Sequence, residues 1–486
     1  MLDKMKEVAL MRKILMVGVV FCASTLFADS TSNDALRKEF EAYKMESEAR
    51  IQALEKKVEE NTEETTKQAS LLNRAPLDFE FHGYFRAGMG VNGNGESMEA
   101  FQAPYAGSKY RLGNEAEAYV ELTYVQNFLP EALQKNEIDF SIVFTLAYVT
   151  PTSYNNDFDA STAIREAYAK TKGVWDAQKD AVFWAGNRYY QQVDVHMNDF
   201  FFRDMAGFGG GIEDVHLGDN LKLAVAWLGG SVDSLNSDGS VVGEDDFRLN
   251  KNTLDLCFYG MDLGIGEFSV ALDIVNFKGD TIDLDTVDDI TLEDSTGWSL
   301  TGILESELSE NLKNRFVLQY GTAAADNFKA VMDAPVGVTW GSGMVFDMEN
   351  TWRFRVMDDV LIEKGTPISL QGLALYERYD NGLSEGGLDW VSLGVRPVYH
   401  FGTYFSLALE AGADYTNKEG GEEGVLGKLT LAPQITPKST HFSRPAIRAF
   451  LTYARWSDGF EGQVAPIAYG DEQDGISVGV QVEAWW

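Results

Sequence analysis

The sequence predicts an all-β protein, a closed barrel that crosses a membrane with strands and is preceded by a short helical segment. Three observations carry this. From Leu77 onward apolar and polar residues alternate with period two, the repeat of a strand with one face against an apolar medium. After residue 28 no apolar run reaches the length of about 18 residues that a membrane-crossing helix needs, so any crossing must be made by strands. Acidic, glycine-rich spacers separate the alternating segments, and the last strand stops on Trp485-Trp486, as expected of a barrel with an interfacial aromatic and no free edge.

Composition fits. With 46 Gly against 11 Pro, and 29 Phe, 20 Tyr and 10 Trp, the 486-residue chain is rich in turns and rings, yet its mean hydropathy is only -0.20. Alternation reconciles the two, because an apolar outer face is averaged with a polar inner one. The net charge of -35 argues against nucleic acid as a partner, since phosphates need a basic surface, and it disfavours anionic substrates. Of the two cysteines, Cys22 lies in a segment expected to be removed, which leaves Cys257 and no intrachain disulfide framework.

Residues 1–28 read as a signal peptide: Arg12 and Lys13 precede the apolar run from Ile14 to Phe21, and small residues approach Ala28. Residues 29–75 read as a periplasmic helical coiled-coil extension. Between Asp34 and Leu72 there is no Gly or Pro, and Leu36, Phe40, Tyr43, Ile51, Leu54 and Val58 recur at threes and fours, with a register shift near Ser47 and Arg50. So short a helix is marginal alone in water, so it is expected to associate.

Residues 76–486 read as the barrel. In its first strand Phe79, Phe81, Phe85, Ala87 and Met89 share one face; His82, Tyr84 and Arg86 share the other. From Glu115 to Tyr124 the apolar face is Ala116, Ala118, Val120, Leu122 and Tyr124, opposite Glu115, Glu117, Tyr119, Glu121 and Thr123. At the end of the chain Ile476, Val478, Val480 and Val482 oppose Ser477, Gln481, Glu483 and Trp485. The acidic spacers Ser231 to Asp246 and Lys278 to Ser295 read as solvated extracellular loops.

One stretch breaks the alternation. Gly186 to Gly211 packs aromatics, Asp194, His196, Asp199, Arg203 and Asp204 between glycines with neither a strand nor a helix period, and reads as a functional loop. Asp194-x-His196-x-x-Asp199 holds metal-ligand residue types, but a site needs convergent geometry and usually a further donor. His196 as a catalytic base would need an aligned serine, and no local motif supplies one. No metal, cofactor or catalysis is expected.

Several stretches resemble the maltoporins, the sugar-specific porins of the bacterial outer membrane: FHGYFRAGMG at Phe81 to Gly90, SKYRLGNEAEAYVEL at Ser108 to Leu122, IREAYAK at Ile164 to Lys170, WAGNRYYQQVDVHMNDFFF at Trp184 to Phe202, SRPAIRAFLTYARW at Ser443 to Trp456 and the terminal QVEAWW. The N-terminal extension is similar to that of sucrose porins. The resemblance implies an eighteen-stranded antiparallel transmembrane barrel, a homotrimer, and a third loop folded inward, which is the Gly186 to Gly211 stretch. It implies an aromatic slide at Tyr84, Tyr119, Phe158, Phe442 and Trp485, with Phe158 on a loop that latches over a neighbouring subunit. It also implies a polar track at Arg86, Arg111, Glu121, Arg165, Asp194, His196 and Asp199.

Strand parity agrees independently, placing Tyr84 with Arg86, Tyr119 with Glu121, Phe442 with Arg444 and Arg448, and Trp485 with Glu483, while Trp486 falls on the lipid side. Departures from the family pattern concentrate at the constriction. Gln192 replaces an arginine, Phe201 a tyrosine, and a rung usually filled by phenylalanine falls on Lys313, or on Leu312 with a gap. Gln192, Phe201 and Asp204 are therefore expected to set the choice of sugar.

The function expected is facilitated diffusion of maltodextrins or related oligosaccharides across the outer membrane, in contact with lipid and lipopolysaccharide. A sugar ring has apolar faces and a polar equator, and rings flanked by charges offer partners for both. Alternatives are a non-selective porin of the same fold, or an outer-membrane anchoring protein whose coiled coil engages a periplasmic partner.

Overall fold

The computed structural model describes residues 77–128, 133, 136–150, 161–233, 248–279, 281–282, 290–291, 293–330, 348–363 and 367–486, together with five residues of the N-terminal segment. The chain divides into two compact units, Met1–Pro76 and Leu77–Trp486. In the first, Glu41, Lys44, Met45, Lys56 and Lys57 are helical. The signal peptide and the coiled-coil seam lie outside the described residues, as does Phe158.

The second unit is an antiparallel barrel of eighteen strands. They are β1 Leu77–Asn92, β2 Ala118–Phe128, β3 Asp139–Thr150, β4 Ser161–Lys172, β5 Val182–Arg188, β6 Gly207–His216, β7 Lys222–Asp233, β8 Arg248–Asp262 and β9 Glu267–Lys278, followed by β10 Ser295–Ser309, β11 Leu312–Thr322, β12 Trp352–Ile362, β13 Ile368–Asp380, β14 Gly387–His400, β15 Phe405–Lys418, β16 Glu423–Ile435, β17 Ala446–Trp456 and β18 Asp474–Trp485. Each strand pairs with the next, and β18 returns to pair with β1, from Tyr84 opposite Trp485 to Asn92 opposite Ser477. Closure removes the unpaired backbone groups that a membrane cannot tolerate.

Alternation sets the two faces. Phe79, Phe81, Leu122, Tyr124, Phe140, Ile142 and Phe144 are exposed on the outside, where lipid rather than water meets them. Trp486 belongs to that outer face and packs between Phe81 and Phe85, with ring centroids 6.0 and 6.2 Å away. It also closes the seam, because its backbone exchanges hydrogen bonds of 3.3 and 3.2 Å with Gly83. A Cβ on Gly83 would lie 2.4 Å from the Trp486 ring, so glycine is what lets the indole lie flat on β1.

Two expectations need correction. The strand expected from Glu115 begins at Ala118; Glu115 and Glu117 belong to the preceding loop, where charged groups inside the barrel hold them. The acidic spacer expected from Ser231 starts inside β7, which runs to Asp233, because backbone pairing to β8 outlasts the apolar pattern.

The lumen is partly filled by loops. The first loop, residues 93–117, buries Phe101 and Tyr110 inside the barrel, where they join a cluster with Phe200, Phe202, Val317 and Trp390. The Tyr110 ring lies flat against the wall over Gly394 and Gly412, paired neighbours on β14 and β15; a Cβ on either would come within 2.2 Å of the ring. The third loop, residues 189–206, packs on it through Phe200, edge-on to Trp390 at 5.1 Å.

Candidate functional site

On the lumenal face the seam of the barrel sets rings and charges side by side. Register places Glu121, Tyr84 and Trp485 in one row across β2, β1 and β18, and Tyr119, Arg86 and Glu483 in the next. Side chains two apart on a strand share a face, so an aromatic and a charged group alternate along each of the three strands, while across the seam Tyr84 meets Trp485 and Arg86 meets Glu483. Ring centroids lie 6.1 Å apart from Tyr119 to Tyr84, 6.4 Å from Tyr84 to Trp485 and 6.5 Å from Trp485 to Phe442, giving four consecutive rings. Guanidinium groups flank them, with Arg86 5.1 Å from the Tyr119 centroid and Arg444 4.3 Å from that of Trp485.

A buried carboxylate organises the charges. Glu483, 2 % exposed, lies 3.2 Å from Arg111, 2.7 Å from Arg444, 3.1 Å from Arg448 and 3.3 Å from His196 Nε2. Three cations around one buried anion are charge-assisted partners that hold one another in place. Arg111, from the first loop, also donates to the Tyr84 hydroxyl at 2.8 Å and to Glu115 at 3.1 Å, and approaches Asp199 at 3.8 Å. Arg86 pairs with Glu117 at 2.6 Å. His196 stays neutral, since burial pushes its pKa down to about 3 against the pull of Glu483. Its ring meets Phe442 and Trp485 edge-on at 5.3 and 5.7 Å.

The third loop, which shows neither a strand nor a helix period in sequence, nevertheless contains regular structure. Gln192–Val195 and Phe200–Asp204 pair as a short hairpin inside the barrel. Its alternation is invisible in sequence because both faces meet protein. Arg203 fastens it to the wall, donating to Asp273 on β9 at 3.0 Å and to Asp255 on β8, with all three side chains about 1 % exposed or less. Tyr190 adds a bond to Asp255 at 3.0 Å. The Phe202 carbonyl accepts from Gln319 at 3.0 Å and from Arg355 at 2.9 Å. Gln192 donates to Asp204 at 3.2 Å, and the Asp204 backbone is bonded on both sides to Phe328 and Ala330, which follow β11. Phe201 is the exception on this hairpin, its side chain left 37 % exposed.

The metal-ligand residue types of the loop do not converge. His196 faces Glu483 and Asp199 faces Arg111. Among the described residues no group of three His, Cys, Asp or Glu side chains is placed to hold a metal ion.

Arg165 reaches the same region through an irregularity. The β3–β4 register shifts between Thr145 and Leu146, which leaves Arg165 unpaired between Ile164 and Glu166, and such bulges re-aim a side chain. Arg165 then donates to the Tyr189 hydroxyl at 2.6 Å. Phe442 and Arg444 sit in the turn before β17 rather than on the strand that parity assumed, yet meet Trp485 all the same. Lys313 shares the lumenal parity of Arg315 and Gln319 and lies 3.5 Å from Glu307; Leu312 falls on the other face. Sequence reading missed Tyr189 as a partner of Glu121 and Glu483 as the centre of the charge cluster. Parity on β18 was the signal available for Glu483.

A family model described as LamB porin matches residues 79–486. The chain belongs to the LamB porin family. Like other members, this LamB porin is a channel of the outer membrane. Solved structures similar to it include OmpT of Vibrio cholerae, with 7 % identity over 85 % of this chain and 98 % of that one and a TM-score of 0.37. OpdK of Pseudomonas aeruginosa with vanillate has 10 % identity over 84 % and 98 %, TM-score 0.43. OccAB1 of Acinetobacter baumannii has 10 % identity over 84 % and 96 %, TM-score 0.45.

Proposed function

We propose that this LamB porin is a homotrimeric, sugar-specific channel that passes maltodextrins or related oligosaccharides by facilitated diffusion. The observation that carries the reading is the run of four rings Tyr119, Tyr84, Trp485 and Phe442, neighbouring centroids 6.1 to 6.5 Å apart, with Arg86, Arg111, Glu121 and Glu483 beside them. Each pyranose stacks its C-H face on a ring while its hydroxyls exchange hydrogen bonds with the flanking charges. Passing from ring to ring keeps binding weak and divided among several sites, as transport requires. Gln192, Asp194, His196, Asp199, Phe201 and Asp204 shape the constriction, His196 doing so in contact with the slide at Phe442 and Trp485, and Arg165 extends the polar track. Phe158 supplies the entry rung from a neighbouring subunit. Residues 1–28 are removed on export, and residues 29–75 form a periplasmic coiled coil.

A non-selective porin is the second reading, favoured by the ion pair Lys313–Glu307 where the resemblance implies an apolar rung. Planar-bilayer recordings with maltose, maltotriose, sucrose and raffinose separate the two. Closure by at least one of these sugars is expected, and open channels indifferent to all four would leave the second reading standing.

A further inference from the structure

Glu121 and Arg165 carry opposite charges close to one another in the lumen, yet they form no direct ion pair. The Tyr189 hydroxyl stands between them. It donates to Glu121 Oε1 at 2.7 Å and accepts from Arg165 Nε at 2.6 Å. The Tyr119 hydroxyl donates to that same Glu121 oxygen. The backbone of Tyr189 is pinned separately, its N–H donating to Glu166 at 3.1 Å, and the Arg165 guanidinium lies over the Tyr189 ring at 5.6 Å. Among the described residues, nothing takes the second carboxylate oxygen of Glu121 or the terminal N–H groups of Arg165 as a hydrogen-bond partner.

We propose that Tyr189 is a positioning residue that holds Glu121 and Arg165 apart as an acceptor and a donor for one vicinal diol of the sugar. The inference rests on the sugar-porin reading and deepens it. A vicinal pair of equatorial hydroxyls presents one donor and one acceptor side by side, which a carboxylate oxygen and a guanidinium edge complement. Without the phenol the two charges are free to collapse into a direct pair that satisfies both and leaves less for the sugar. The hydroxyl of Tyr189 is the group that separates the two charges.

The test compares the wild-type channel with Tyr189→Phe in planar bilayers, using maltotriose and its monodeoxy derivatives, after folding of both is checked by their resistance to denaturation in cold detergent. In the wild type at least one monodeoxy derivative is expected to block more weakly than maltotriose. In Tyr189→Phe, maltotriose block weakens about tenfold, the scale of a lost hydrogen bond to a charged group, mainly through faster release, and the preference over that derivative disappears. Unchanged maltotriose block in the variant overturns the proposal, as does weakening that leaves the preference intact, which would reduce Tyr189 to packing. A wild-type channel blocked by no sugar removes the sugar reading and this proposal together, whereas failure in the variant alone leaves that reading in place.

Discussion

Tyr84 on the first strand and Trp485 on the last face one another across the barrel seam, their rings stacked 6.4 Å apart with planes 18° from parallel. The pair is fixed by backbone register, since the two residues are direct partners in the β1–β18 ladder. Cutting either ring therefore interrupts the run of four rings in the middle while leaving the backbone ladder itself intact.

Trp485→Ala should weaken sugar block by about 1 to 3 kcal/mol, borrowing the magnitude of base–aromatic stacking. Current-noise titration in bilayers gives the value directly. Identical block in wild type and variant would show that the sugar does not travel along these rings.

Gly83→Val should loosen the seam, because the new side chain overlaps the Trp486 ring. Overpacking of this kind costs about 1 to 3 kcal/mol. A lower denaturation midpoint in detergent is the expected result, and Gly83→Val combined with Trp486→Ala should recover part of the loss.

His196 has a folded-state pKa of about 3 against an ordinary 6.5. Between those values the unfolded chain binds a proton that the folded chain refuses, so the neutral imidazole's contribution to stability is complete above 6.5 and is lost as pH falls toward 3. Chemical denaturation of the wild type should accordingly show a stability that declines through this window, and His196→Gln should flatten part of the decline. The same slope in both proteins would place the titrating group elsewhere.

Arg203→Met should be costly, because it leaves Asp255 and Asp273 buried without their cation. Breaking one side of a buried ion network typically costs about 3 to 5 kcal/mol. Denaturation measures the loss, and noisier open-channel current would report the loosened third loop. Adding Asp255→Asn and Asp273→Asn to the variant should restore much of the stability.

Much of the barrel was legible because period-two alternation is local: Tyr84, Glu121 and Trp485 declare their face by their immediate neighbours. What parity could not supply was the contents of the lumen. Arg203 finds its carboxylates 52 and 70 residues away, and Glu115 looked like the start of a strand because the alternation reaches back to it, whereas its partner Arg111 belongs to a loop that folds inward. Arg165 depends on a bulge that adds one residue to β4, a feature with no mark in composition. Phe442 was assigned the right side for an imperfect reason, since it lies in a turn and no strand period applies to it.

Closure of the barrel between β1 and β18 also bears on its birth. Tyr84 and Glu483, hydrogen-bonded at 3.3 Å, are separated by 399 positions in the chain, among the longest loops the polypeptide must close. The ring ladder straddles that junction, so no partly zipped intermediate owns a complete one. The complete run of rings is in this sense a mark of finished assembly, one that only a closed barrel can carry.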